Sequence, residues 1–82
     1  MAAHQVQTPL PGVFYRRPAP DQPEYAAPGD SVTADQTIGL VEVMKQFAEI
    51  KAGVNGTLTA FDIDNEAVVG PGDVVARIET DV

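Results

Sequence analysis

At 82 residues the chain is long enough for one small domain, and a domain of that size buries only about 60–65% of the surface its unfolded chain exposes. It contains no cysteine, so neither a disulfide framework nor a thiolate metal site is available to staple it. With 12 acidic against 5 basic side chains and a formal charge of −7, its surface repels phosphate backbones and anionic lipid, which argues against nucleic acid or membrane as partners. The first residues lack a basic region followed by an apolar run, and no stretch approaches the roughly 20 apolar residues of a membrane span. The expectation is a single cytoplasmic domain over residues 1–82.

Seven glycines and seven prolines interrupt the chain, and no apolar stripe at helical spacing survives beyond about two turns. Short alternating runs bounded by Gly, Pro, Asn or Asp fit better and predict strands throughout. In chain order they fall at 5–8 and 12–16, then, after a proline-rich stretch, at 31–33, 37–44, 46–52, 57–62, 66–69 and 74–79. The fold class is therefore expected to be all-β.

A weak internal repeat lies beneath these strands. Gly12-Val13-Phe14 matches Gly56-Thr57-Leu58 at an offset of 44. Val32 and Ile38 match Val68 and Val74 at an offset of 36, and both halves close on an aliphatic residue followed by glutamate, Val41-Glu42 and Ile78-Glu79. Two copies of a four-stranded unit would pack their apolar faces together as a flattened barrel or sandwich with an approximate two-fold. The mismatch of the offsets, 44 against 36, assigns 8 additional residues to the first half. They must fall within Arg16 to Gly29, where four prolines remove ladder donors and favour turns. Tyr25 and Phe14-Tyr15 flank this stretch, so it reads as a protrusion with anchored ends.

Lys45 poses the chemical question. It and Lys51 are the only lysines, and Lys45 stands in the run LVEVMKQF where a strand must either continue or turn back. A lysine taken blindly is a solvated surface residue. Here, however, Met44 beside it serves no packing purpose if exposed, and a soft thioether is a contact that another protein can read. Lys51, followed by Ala52-Gly53, lacks that context and reads as surface.

Other chemistry finds no support in the inventory. Ser31 and His4 are the single serine and histidine, and a triad would have to join a turn residue to a fraying terminus. Asp62, Asp64 and Glu66 begin like a calcium loop, but Ala67 replaces its glycine and Asp73 its bidentate glutamate. Gly70-Pro71-Gly72 and Gly53-Val54-Asn55-Gly56 lack the strand-to-helix setting of a phosphate loop and read as turns. No catalytic or metal-ligating residues are assigned.

Two stretches, TPLPGVFYRRPAP and PGDSVTADQTIGLVEVMKQFAEIKAGVNGTLTAFDIDNEAVVGPGDVVARIE, resemble the biotinyl domain of biotin carboxyl carrier proteins, above all the carrier of multisubunit acetyl-CoA carboxylase in fatty acid biosynthesis. The sharpest element is Glu42-Val43-Met44-Lys45, matching the family's Glu-(Ala or Val)-Met-Lys, whose lysine carries covalent biotin. The resemblance implies a flattened barrel-sandwich of two four-stranded antiparallel sheets, with Lys45 at a hairpin turn and with Glu42, Val43, Met44 and Gln46 read by the biotin protein ligase. It also implies that Arg17, Pro18, Ala19, Pro20, Asp21, Gln22, Pro23 and Glu24 form a protruding thumb. A biotin carboxylase subunit and a carboxyltransferase subunit are then the implied partners, and the chain itself is a non-catalytic carrier. Gln46 departs from the methionine usual there, and Arg17 stands where those carriers have a small hydroxyl residue. The alternatives are a lipoyl-type or unmodified biotinyl-like module, or the carrier of a carboxylase with another acceptor. Lipoyl domains resemble one another in an acidic residue before the lysine and usually an alanine after it, whereas here the neighbours are Met44 and Gln46.

Overall fold

The alternating apolar residues sort the chain into two sheets. The structure, a computed structural model, describes residues 2–19 and 21–80. Its elements are β1 (Ala2–Gln7), β2 (Gly12–Tyr15), β3 (Ser31–Val32), β4 (Thr37–Val43), β5 (Gln46–Lys51), β6 (Gly56–Phe61), β7 (Val68–Val69) and β8 (Val74–Thr80). One antiparallel sheet has the order β1-β8-β6-β3 and the other β5-β4-β2-β7. No helix among the described residues is long and apolar enough to cross a membrane.

Replacing each of β1 to β4 by the strand four places later turns one sheet order into the other, so the expected two-fold is present in the topology. The burial of β1 and of β5 follows the same pattern, with Val6 and Ile50 as the buried residues. Even the irregularity recurs: the register of β1 on β8 slips between Val6 and Gln7, and that of β4 on β5 slips between Thr37 and Gly39. From the two sheets Val6, Phe14, Val32, Ile38, Val41, Ile50, Leu58, Val69, Val75 and Ile78 meet in one core. Each large apolar side chain buried there contributes about 1.5–3 kcal/mol.

The pairing corrects the second half of the sequence repeat by one residue. Val32 faces Gly56 and Val69 faces Gly12, so the mate of Val32 is Val69 and the offset is 37. Ile38 correspondingly matches Val75, both fully buried, and the insert is 7 residues rather than 8, the difference of 44 and 37. Valines occupy both 68 and 69, but only one faces inward: Val69 is 3% exposed and Val68 83%. A shift of one residue exchanges the two faces of a strand.

Most strands also differ from the expectation by a residue or more at one end or both, and three of the shifts have a structural cause. β1 starts at Ala2 instead of 5, because it pairs with β8 along its whole length. β4 stops at Val43, one residue before Met44, which has turned to positive φ. β7 is only Val68–Val69, because Glu66 takes φ 69 and leaves the extended region.

Two glycines fix how closely the strands cross. A Cβ on Gly12 would collide with the Glu42 carbonyl oxygen, and one on Gly56 with that of Glu79. Phe14 imposes a third such position, since its ring edge would lie 2.6 Å from a Cβ on Gly39. The mate of Phe14 is the smaller Leu58, and the mate of Gly39 is Ala76.

The chain leaves β5 at the end away from the Met44-Lys45 turn and within a few residues enters β6 beside Glu79. There β1 and β8 lie side by side, with the Thr80 hydroxyl donating to the Ala2 carbonyl at 3.2 Å. The turn therefore stands at the far end of the sandwich from the described chain ends.

Gly56→Ala should lower stability by about 2 kcal/mol, because the blocking atom is a backbone carbonyl that cannot step aside, and Tm by about 10 °C. Gly70→Ala is the control, because an added Cβ there meets only the Asp73 carboxylate at 3.8 Å. Thermal unfolding of the two variants checks this, and equal Tm values would contradict the close-approach account.

Candidate functional site

Val43 pairs with Gln46, leaving Met44 and Lys45 as a two-residue turn between β4 and β5. Both have positive φ, 51° and 67°, the signature of a type I′ hairpin turn. That conformation matches the twist of the strands but normally recruits Asn and Gly. For side chains of the size of Met and Lys it costs about 1–2 kcal/mol per residue. The turn is therefore held by the strands beneath it, which pair from Thr37–Lys51 up to Val43–Gln46. Met44 is 91% exposed and Lys45 is exposed as well. Among the described residues Lys45 makes no ion pair, whereas the Lys51 ammonium lies 3.9 Å from the Glu49 carboxylate.

The residues around the turn occupy two surfaces. Val43, Met44 and Gln46 join Leu10, Phe47 and Ala48 around a shallow groove of about 400 Å³. Glu42 faces Phe47 across the hairpin, and its carboxylate accepts a hydrogen bond from the Tyr15 hydroxyl at 3.0 Å. That bond to an anion holds the Tyr15 phenol above its ordinary pKa, reinforced by burial and by the charges of Glu42 and Glu66. Tyr15 also packs on Phe47, with ring centroids 6.2 Å apart.

The proline-rich insert projects from the same sheet. Its root is closed where the Tyr25 N–H donates to the Arg16 carbonyl at 2.9 Å, so residues 17–24 lie between two hydrogen-bonded neighbours. Arg16 anchors that root: its N–H donates to Asn65 Oδ1 at 2.8 Å, its guanidinium to the Ile63 carbonyl at 2.8 Å, and it stacks 4.5 Å over the Phe61 ring. Glu24 approaches Arg16 at 3.9 Å. Burial is the first cause holding the Tyr25 phenol above its usual pKa, with the charge of Glu49 adding to it. A turn bond from Gln22 N–H to the Ala19 carbonyl, 3.0 Å, shapes the tip.

Of the candidate thumb residues, Arg17, Pro18 and Ala19 wall a cleft of about 450 Å³ with Tyr15, Phe47, Asn65 and Glu66. Asp21, Gln22 and Pro23 are exposed at the tip, and Pro20 lies outside the described residues. Sequence reasoning did not assign Tyr15, Phe47, Asn65 or Glu66 to a site. Tyr15 and Phe47 carried a signal, being aromatic residues at strand positions close to the insert and the turn.

The remaining candidates are dispersed. Ser31 on β3 and His4 on β1 are at opposite edges of one sheet, with β6 and β8 between them. Asp62 is held by Arg77 at 2.9 Å, and among the described residues no group of three potential ligands is positioned for a metal.

What the fold and this turn define is a domain that presents a single lysine on a rigid two-residue apex, clear of its own surface. The chain belongs to the family described as Biotin-requiring enzyme, whose profile matches residues 4–78. It is 41% identical to the biotin carboxyl carrier protein of acetyl-CoA carboxylase of Chlamydia pneumoniae, over 93% of this chain and 46% of that protein. It is 38% identical to the protein so named in Streptococcus pyogenes serotype M6, over 90% of this chain and 45% of that one. The chain thus spans less than half the length of these relatives. In three dimensions it is similar to Kluyveromyces lactis urea carboxylase, with a TM-score of 0.80 and 26% identity, over 96% of this chain and 6% of that one. The cofactor implied by the family is covalently attached biotin, and the exposed amine of Lys45 at a tight apex, without an ion pair among the described residues, fits such an attachment.

If the turn is strained for the sake of its side chains, Met44→Asn/Lys45→Gly should raise stability by about 1 kcal/mol by supplying residues suited to positive φ. Thermal unfolding should register an increase in Tm of several degrees. An unchanged or lower Tm would mean that the turn stores no strain.

Proposed function

We propose that the chain is the biotinyl domain of a biotin carboxyl carrier, with biotin joined to Lys45 and the acetyl-CoA carboxylase system as its setting. The observation that carries this reading is the geometry of Lys45, whose amine stands at the apex of an over-determined turn. The names of the relatives support the carboxylase. In this reading the chain is a cytoplasmic, non-catalytic subunit that meets three partners in turn, a biotin protein ligase, a biotin carboxylase and a carboxyltransferase.

The residues divide the work. Lys45 supplies a primary amine that becomes an uncharged amide, together with a four-carbon stem that gives reach, neither of which an arginine offers in the same form. The β4–β5 ladder supplies a rigid mast, so that the mobility of the arm is confined to the lysine side chain and what it bears. Biotin, when bound, supplies a ureido nitrogen that takes up a carboxyl group at one active site and releases it at another. Tethering raises the local concentration of the arm at each site far above that of a free carrier. Glu42, Val43, Met44 and Gln46 surround the acceptor and form the face that the ligase reads. The thumb, residues 17–24, overhangs the same sheet, and the cleft under Arg17, Pro18 and Ala19 is where it acts on the arm or on a partner.

The test is carboxyl transfer in a reconstituted system. The biotinylated chain, incubated with biotin carboxylase, ATP and radiolabelled bicarbonate, should retain label and release it to acetyl-CoA when carboxyltransferase is added. Excising residues 17–24 joins positions that are already hydrogen-bonded, so folding and biotin loading should persist while transfer slows severalfold. A chain that carries biotin but takes no label would overturn the carrier reading, and a thumbless chain with undiminished transfer would make the insert a passive linker.

A further inference from the structure

Nothing in the motif around Lys45 accounts for Tyr15, which lies on a different strand. Its hydroxyl donates to Glu42 Oε1 at 3.0 Å and its ring packs against Phe47, the residue facing Glu42 across the hairpin. The main chain of Glu42 is fixed too, by the close approach of Gly12 to its carbonyl. Among the described residues no cation lies in ion-pair contact with the Glu42 carboxylate. The result is an anion whose place is set but whose charge is not neutralised, next to the strand end that leads into Met44 and Lys45.

The two-fold supplies an internal control. The mate of Glu42 is Glu79, and its main chain is approached by Gly56 in the same way. The residue equivalent to Tyr15 there is Thr59, whose hydroxyl donates to the Arg77 carbonyl at 3.0 Å instead. The residue equivalent to Phe47 is Ala3, which faces Glu79. The copy of the unit without a turn lysine therefore keeps the glutamate and the glycine but lacks the tyrosine and the phenylalanine. Packing the sandwich does not require the clamp.

We propose that Tyr15 is a positioning residue for biotin transfer to Lys45: it holds the Glu42 carboxylate beside the turn, so that a cationic group of the ligase meets an ordered anion at a set place relative to the acceptor amine. In the reaction the Lys45 amine attacks the carboxyl carbon of a biotin that the ligase has activated as an acyl phosphate. A C–N bond forms, the phosphate-bearing group leaves with the bonding pair, and the amine loses a proton to solvent. Tyr15 touches none of these atoms. It removes the ordering cost of a long, flexible side chain before the partner arrives. This inference rests on the biotin reading of Lys45.

Ligase-catalysed biotinylation of the full chain, followed by intact mass, tests it in a double-mutant cycle. Tyr15→Phe should lower kcat/KM about fivefold, the loss expected from one hydrogen bond, mainly through KM. Glu42→Ala should lower it further, and the double variant should match Glu42→Ala alone. Single losses that multiply in the double variant, or a Tyr15→Phe chain that is loaded like the original, overturn the proposal while leaving Lys45 as the acceptor. A wild-type chain that takes no biotin on Lys45 overturns both. Independently of how the variants fold, side-chain NMR couplings of Glu42 in the unmodified chain should report one fixed rotamer, and rotamer averaging there would also contradict the clamp.

Discussion

The structure depends on a two-residue turn that its own sequence does not favour. Met44 and Lys45 both sit at positive φ, a conformation that side chains of this kind occupy only when their surroundings over-determine it. Here the surroundings are the β4–β5 ladder and its buried base, with Ile38, Val41 and Ile50 in the core. Because hydrophobic burial fixes the register, the turn cannot relax by sliding a residue along, since that would expose the entire inward face. The strain is thereby stored at a turn that exposes an amine.

Around that turn, the candidate functional features are departures from two-fold symmetry. The repeated parts are those that packing needs: the glycines at the strand crossings, the buried aliphatic positions and the recurrent register slip. The unrepeated parts gather near one end of the first copy. They comprise the lysine turn, the proline-rich insert rooted by Arg16 and Tyr25, and the Tyr15–Glu42–Phe47 cluster. At the corresponding place in the second copy β1 and β8 simply lie side by side, with Ala2 facing Thr80. The two-fold thus places the Met44-Lys45 turn and the β1–β8 pair at opposite extremes of the sandwich.

Much of this was legible in the sequence because period-2 alternation and turn residues are local signals. The all-β class and the two-fold follow from such signals, whereas the biotin chemistry is implied by the resemblance of the Glu42-to-Lys45 motif to that of the family. The offset of the second repeat is one residue longer than the sequence suggests, since two adjacent valines at 68 and 69 give no local indication of which faces inward. The early start of β1 at Ala2 was hidden because its stability comes from pairing with β8, at the other end of the chain. The clamp on Glu42 was hidden for the same reason: Tyr15 and Glu42 are 27 positions apart, and only the β2–β4 pairing brings them together. Where a residue's role depends on a neighbour across strands, a single sequence carries little trace of it.

Whether the turn makes Lys45 the acceptor is read by peptide mapping after loading by a biotin ligase. The expected result is a mass increase of one biotinyl group, located on Lys45, and no increase in Lys45→Arg, whose guanidinium cannot form the amide under these conditions. A biotinyl group found on Lys51, or retained in Lys45→Arg, would contradict it.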